Sequence, residues 1–206
     1  MAFILGLKKD TLQIFDEEGM AMPATLVEAG PVVVSQLRTK ERDGYKAVQV
    51  GFGTKKHLNK PQRSQYKDLG SFRYVKEFRT GDTDKADFNL GDKITVEAFK
   101  EGDKVNVAGT VKGRGFQGVV KRHGFHGGPR THGQKHSERE PGSISGGGGR
   151  PGGRVAKGMR MAGRMGGNRI TVKNLKILQI DTKNNFFVIS GAVPGARGSL
   201  LEIRTK

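Results

Sequence analysis

The chain contains no cysteine. It therefore forms no disulfide and offers no thiolate as nucleophile or metal ligand, although that absence by itself identifies no compartment. No run of apolar residues approaches the roughly 18 needed for a membrane-spanning helix. The N-terminal apolar segment, residues 2–7, is also far shorter than the core of a secretory signal with its flanks. Membrane insertion is not expected, and a cytoplasmic location follows by default. Two further shortages are local: between Lys112 and Asn168 the acids are Glu138 and Glu140 alone, and the aromatics are Phe116 and Phe125 alone.

What fills that stretch instead is glycine and positive charge. Its 57 residues hold 12 Lys or Arg, 18 of the chain's 32 glycines and 4 of its 5 histidines, and they carry +10 of a formal net charge of +17. Such a composition cannot bury a core. Fixing a backbone costs about 1–2 kcal/mol per residue, so ordering this segment costs on the order of 50–100 kcal/mol that internal packing cannot offset. It is expected to be unordered in isolation and to be ordered by a large polyanion. A sequence pI near 10.3 points the same way, to a nucleic acid or an anionic membrane surface. With the stretch set aside, 149 of the 206 residues remain, enough for one real core.

Those remaining residues read as short strands separated by turns. Leu12 to Phe15 and Ala24 to Glu28 flank the turn at 16–19; Val32 to Leu37 is followed by Asp43-Gly44 and then Tyr45 to Phe52. An Asp-Gly pair between alternating runs is a strong hairpin signal. Residues 54–67, basic and interrupted by Pro61, read as a solvated loop in which Lys55, Lys56 and Arg63 can touch phosphate. Phe72 to Phe78 reads as a strand, residues 81–87 as an acidic loop, and Ile94 to Phe99 and Val105 to Val111 as two further strands. Strand signals resume at Arg169 to Val172, Leu175 to Ile180, Phe186 to Ile189 and Leu200 to Ile203. Regular short strands with turns between them predict an antiparallel barrel or sandwich. The fold class is mainly β: a discontinuous globular domain of residues 1–111 and 169–206, with residues 112–168 a long, Gly/Arg-rich, largely irregular extension inserted in it.

Glycine, histidine, acidic and methionine patterns in the chain each suggest a function. Gly113, Gly115 and Gly118 match the glycine spacing of nucleotide-binding loops, and Glu138 follows twenty residues later. A dinucleotide site also requires a helix after the glycines and a second parallel strand carrying the acid, and the residues from His123 to Glu140 promise neither. The glycines are better suited to letting backbone approach a sugar-phosphate chain. His123, His126, His132 and His136 suggest a metal cluster, but Gly133 stands where a zincin-like site needs glutamate, so hydrogen bonding to RNA or stacking on it is the preferred role. Asp82, Asp84 and Asp87 lack the glycine and distal glutamate of a calcium loop. Met159, Met161 and Met165 among basic residues could mark a short amphipathic helix of the kind that binds membranes, yet Gly158, Gly163, Gly166 and Gly167 weaken any helix there. Packing of these methionines on the barrel or on RNA is the expected role.

The run from Gly109 to Arg122, with Phe99 and Asn106 upstream, resembles the signature of the universal large-subunit ribosomal protein L-three family. So do Pro141 to Ile144, Lys157 to Gly163, Arg169 to Val172 and Gly191 to Gly195, and the likeness covers nearly the whole chain in order. The resemblance implies a β-barrel on the subunit surface and an extension threaded through 23S-type large-subunit rRNA toward the peptidyl transferase centre. It implies rRNA binding early in assembly and no enzymatic activity, with neighbouring ribosomal proteins as partners; no cofactor, metal or small-molecule substrate is expected. The chain departs from the family pattern in three places. Val111 stands where the signature has Ser or Thr, and His123-Gly124 stands where Trp-Asn is common. No glutamine lies between Gln134 and Gln179, so the methylated glutamine of some relatives is not expected, and the tip around 145–153 should be longer and more pliable.

The residues expected to meet RNA in the extension are Lys112, Arg114, Lys121, Arg122, His123, His126, Arg130, His132, Lys135, His136, Arg139, Arg150, Arg154, Lys157, Arg160 and Arg164. Roughly a third of the charged ones are expected to make no direct contact, because exposed charges often contribute little individually. Two rival readings stand: composition equally fits a free nucleic-acid-binding protein or RNA chaperone with a mobile basic arm, and the glycine motif fits a nucleotide-using enzyme.

Overall fold

The apolar residues at the N-terminus begin a long strand. β1 (Phe3–Phe15) buries Phe3, Ile4 and Leu5 and then runs outward with its far half more exposed. A computed structural model describes residues 2–16, 18–66, 69–81, 88–144 and 155–205. The acidic positions Asp82, Asp84 and Asp87, the tip at 145–153, and Arg150 and Arg154 lie outside the described residues. The chain divides into two compact units, Met1–Val111 with Arg169–Lys206, and Lys112–Asn168.

Strands dominate the described residues. After β1 come β2 (Ala21–Ala29), β3 (Val32–Arg38), β4 (Ala47–Thr54), β5 (Phe72–Arg79), β6 (Lys93–Ile94), β7 (Lys104–Thr110), β8 (Phe116–Gln117), β9 (Gly163–Arg164), β10 (Arg169–Asp181), β11 (Phe186–Ser190) and β12 (Leu200–Thr205). Six of them close an antiparallel barrel in the order β1-β12-β7-β10-β11-β2, with Phe3 opposite Arg204 and Phe187 opposite Val27. The mainly-β barrel expectation therefore holds. A second antiparallel sheet, β5-β4-β3-β6, was not foreseen as a separate layer. It shares one apolar core with the barrel: Phe3 of β1 stacks on Phe78 of β5 at 4.4 Å, and Phe99 meets Phe187 edge-on at 5.1 Å.

Where β7 ends and β10 begins, Thr110 and Arg169 are paired partners. The chain thus leaves the barrel and returns to it at facing positions of one ladder. An insertion of any length between them leaves the ladder intact.

Close approach of the backbone sets one glycine in the second sheet. A Cβ on Gly51 would lie 2.2 Å from Cγ of Phe72, whose ring packs flat on β4. On the same sheet, Glu77 accepts hydrogen bonds from Tyr45 (2.8 Å), Arg38 (3.2 Å) and Gln49 (3.3 Å). The Tyr45 hydroxyl, outweighing burial and helped by Arg38, holds the Glu77 carboxyl below the ordinary carboxylate range.

Four local expectations are corrected. Residues 60–65 form a short helix, α2 (Lys60–Gln65), rather than a loop. Pro61 sits in its first turn, where a fixed φ and a missing N–H cost nothing, and Asn59 occupies the cap position. Residues 94–99 are not one strand: β6 ends at Ile94 and a 3-10 turn covers Val96–Ala98, although Val96 and Phe99 are buried as strand alternation suggested. The Asp43-Gly44 hairpin does join β3 to β4, but through a one-turn helix, α1 (Lys40–Asp43), with Gly44 closing it at φ +78°. The two strands read at 169–180 are one, β10, bulged between Val172 and Leu175, with Asn174 at φ +59°.

Candidate nucleic-acid interface

With so little apolar material, the second unit is held mainly by hydrogen bonds. Among its described residues only Val119 is buried. β8 pairs with β9, setting Phe116 opposite Arg164, and the ladder is extended by Arg114 N–H to Met165 O and Met165 N–H to Gly115 O, both 2.9 Å. Gly166 permits this closeness, since a Cβ there would meet the Lys112 carbonyl at 2.3 Å.

Gly118 then caps a single-turn helix, α3 (Val119–His123), which Gly124 ends in the left-handed region. A helix does follow the glycine pattern, contrary to expectation. It is five residues long, and among the described residues β8 pairs only with β9, antiparallel, so these residues do not form the βαβ frame of a dinucleotide site.

From α3 two side chains turn inward. Arg122 donates to the Met161 carbonyl at 2.6 Å, and His123 Nε2 lies 3.1 Å from the same oxygen. These two residues, expected to meet RNA, hold the 160s segment against α3. That segment turns at 157–158 and enters β9, so the amphipathic methionine helix does not form. Beyond Gly124 a loop is clasped by Gly128 N–H to Glu138 O at 3.0 Å, and Gly127 packs so tightly that a Cβ would stand 2.0 Å from that carbonyl. Gln134 donates to the Ser137 hydroxyl, and a 3-10 turn covers Ser137–Arg139. Together α3, this loop and the 160s segment frame a cleft of about 520 Å³ whose lining includes His123, Phe125, His126, Gln134, Ser137 and Arg160.

The remaining expected residues are displayed outward. Lys112, Arg114, Lys121, His126, Arg130, His132, Lys135, His136, Arg139, Lys157, Arg160 and Arg164 are all exposed. Arg130 lies 3.4 Å from Glu138. His132 adopts φ +60°, a conformation rarely taken by a residue with a Cβ. Within the first unit, Lys55 and Lys56 follow β4 and Arg63 lies on α2, all exposed. Among the described residues no group of three or more His, Asp or Glu side chains is placed to hold a metal ion, and no helix is long and apolar enough to cross a membrane. Phe125, Gln134 and Ser137 were not among the expected site residues. Phe125 had a signal, as one of two aromatics in the stretch; the other two had none.

The family model described as ribosomal protein L3 matches residues 75–206. The large ribosomal subunit protein uL3 of Herpetosiphon aurantiacus is 51% identical over 203 residues, covering 97% of this chain and 94% of that relative. Those of Acidothermus cellulolyticus and Roseiflexus sp. are 47% and 48% identical, each over 98% of this chain and over 91% and 95% of their own lengths.

Proposed function

This chain belongs to the ribosomal protein L3 family, a family of structural proteins rather than enzymes, and from that premise we propose that it is built into the large ribosomal subunit. There residues 112–168 bind 23S-type rRNA during early assembly and support the peptidyl transferase region. Its partners are that RNA and neighbouring large-subunit proteins, and its location is the ribosome of the cytoplasm.

The observation that carries the RNA-binding part is the charge displayed by the second unit. Nine of its described Lys and Arg side chains stand exposed, while the described acids are Glu138, beside Arg130, and Glu140. In folded RNA each such cation can replace condensed counterions, and glycine-rich backbone passes where side chains cannot. Lys55, Lys56 and Arg63 supply a second phosphate contact from the first unit. Arg150 and Arg154 extend the same role toward the tip.

Deleting Gly142 to Arg154 tests this reading. The paired strands of the barrel are untouched, so the chain is expected to fold and to enter particles. Large subunits are expected to mature slowly, with incomplete particles accumulating in a sucrose gradient. A strain with normal gradients and normal translation would refute the role given to the extension.

A further inference from the structure

We propose that the cleft between α3, the clasped loop and Arg160 holds one unstacked nucleotide of the large-subunit RNA, its base against Phe125. This rests on the reading of residues 112–168 as RNA-binding and names the part of the RNA that one site on it takes. The cleft's 520 Å³ falls within the roughly 300–1,000 Å³ of sites that enclose a small ligand. That suits a single nucleotide.

The lining matches the chemistry of an exposed base. The rings of His123 and Phe125 lie 6.0 Å apart at 44°, and His126 stands beside them. Sequence-specific RNA contacts place unstacked bases against such rings and read their edges by hydrogen bonding. The Gln134 amide, which gives one N–H to Ser137, carries a second N–H and a carbonyl oxygen for that purpose. Arg160, exposed at the wall, suits the flanking phosphate.

The walls are held by hydrogen bonds within the chain. Gly124 N–H bonds to the Val120 carbonyl (3.0 Å), Gly128 to Glu138, and both Arg122 and His123 engage Met161. Once the segment is ordered, these bonds hold the shape of the cleft around an entering base.

Two experiments decide it. Irradiating native large subunits at ultraviolet wavelengths and mapping crosslinked peptides is expected to place a single nucleotide on the peptide from His123 to Arg130. In Phe125→Ala subunits the base of that nucleotide is expected to become at least about 5-fold more reactive to base-modifying reagents, the lower end of what loss of one aromatic stack produces. Phe125→Tyr should restore protection. Crosslinks confined to other peptides of the extension, or unchanged reactivity in the alanine variant, would overturn the cleft while leaving the RNA-binding reading in place. If the alanine variant fails to assemble, the crosslink in unaltered subunits decides alone. No crosslink anywhere in residues 112–168 would overturn both.

Discussion

Raising salt from 50 to 200 mM is expected to weaken binding of the free chain to large-subunit rRNA by about 10³–10⁵-fold. The size follows from the number of phosphates engaged. Nine exposed cations are described along the second unit, and Arg150 and Arg154 add two from the sequence. If about a third make no contact, some 6–10 contacts remain once Lys55, Lys56 and Arg63 contribute, and each releases close to one counterion. Filter binding across a salt series measures the slope directly. Replacing Arg114, Lys121 and Arg139 with glutamine is expected to flatten it by about 2–3. An affinity that changes less than tenfold over this range would mean that the exposed charges are merely solvated.

Phe187→Ala is expected to destabilise the barrel by about 3–5 kcal/mol, the usual cost of emptying an aromatic site in a close-packed core. Phe187 is fully buried on β11, faces Val27 across the ladder and packs edge-on against Phe99. Phe187 sits in the core of a closed barrel, where the flanking strands are fixed by their ladders, so the cost should fall at the upper end. For a unit of this size the melting temperature is expected to drop by on the order of 10 °C or more. Thermal unfolding followed by circular dichroism checks this. The salt slope at low temperature should stay as in the parent chain, because no cation is altered. A drop of only 1–2 °C would show that the shared core is not what holds the first unit together.

Most strands of the first unit could be read from the sequence because alternation is a local property. Val105 to Val111 and Phe186 to Ile189 signalled one buried face each, and both are barrel strands. The closure was not local. It depends on Phe3 meeting Arg204 and on Thr110 meeting Arg169, pairings that no window of the chain contains. Pro61 misled because its position relative to a cap decides whether it breaks or starts a helix. Ile94 to Phe99 misled because two buried anchors at Val96 and Phe99 are equally compatible with a turn.

The candidate interface divides in the same way. Net charge is additive along the chain, so the basic stretch was evident from composition. Which cation faces outward was not, since Arg122 and Arg114 look alike in sequence while only Arg122 reaches a carbonyl. The cleft exists because Gly127 and Gly128 let residues 127–138 close on themselves, and that closure brings Gln134 and Ser137 to Phe125.

Sedimentation of the tagged chain from a cell lysate, with a high-salt wash of the ribosomal fractions, tests the central claim most directly. A structural protein buried in folded RNA is expected to remain at one copy per large subunit after the wash, because contacts enclosed by the particle are shielded from the salt that disrupts the binary complex. Release of the chain into the soluble fraction would contradict this account and point to a peripheral RNA-binding factor.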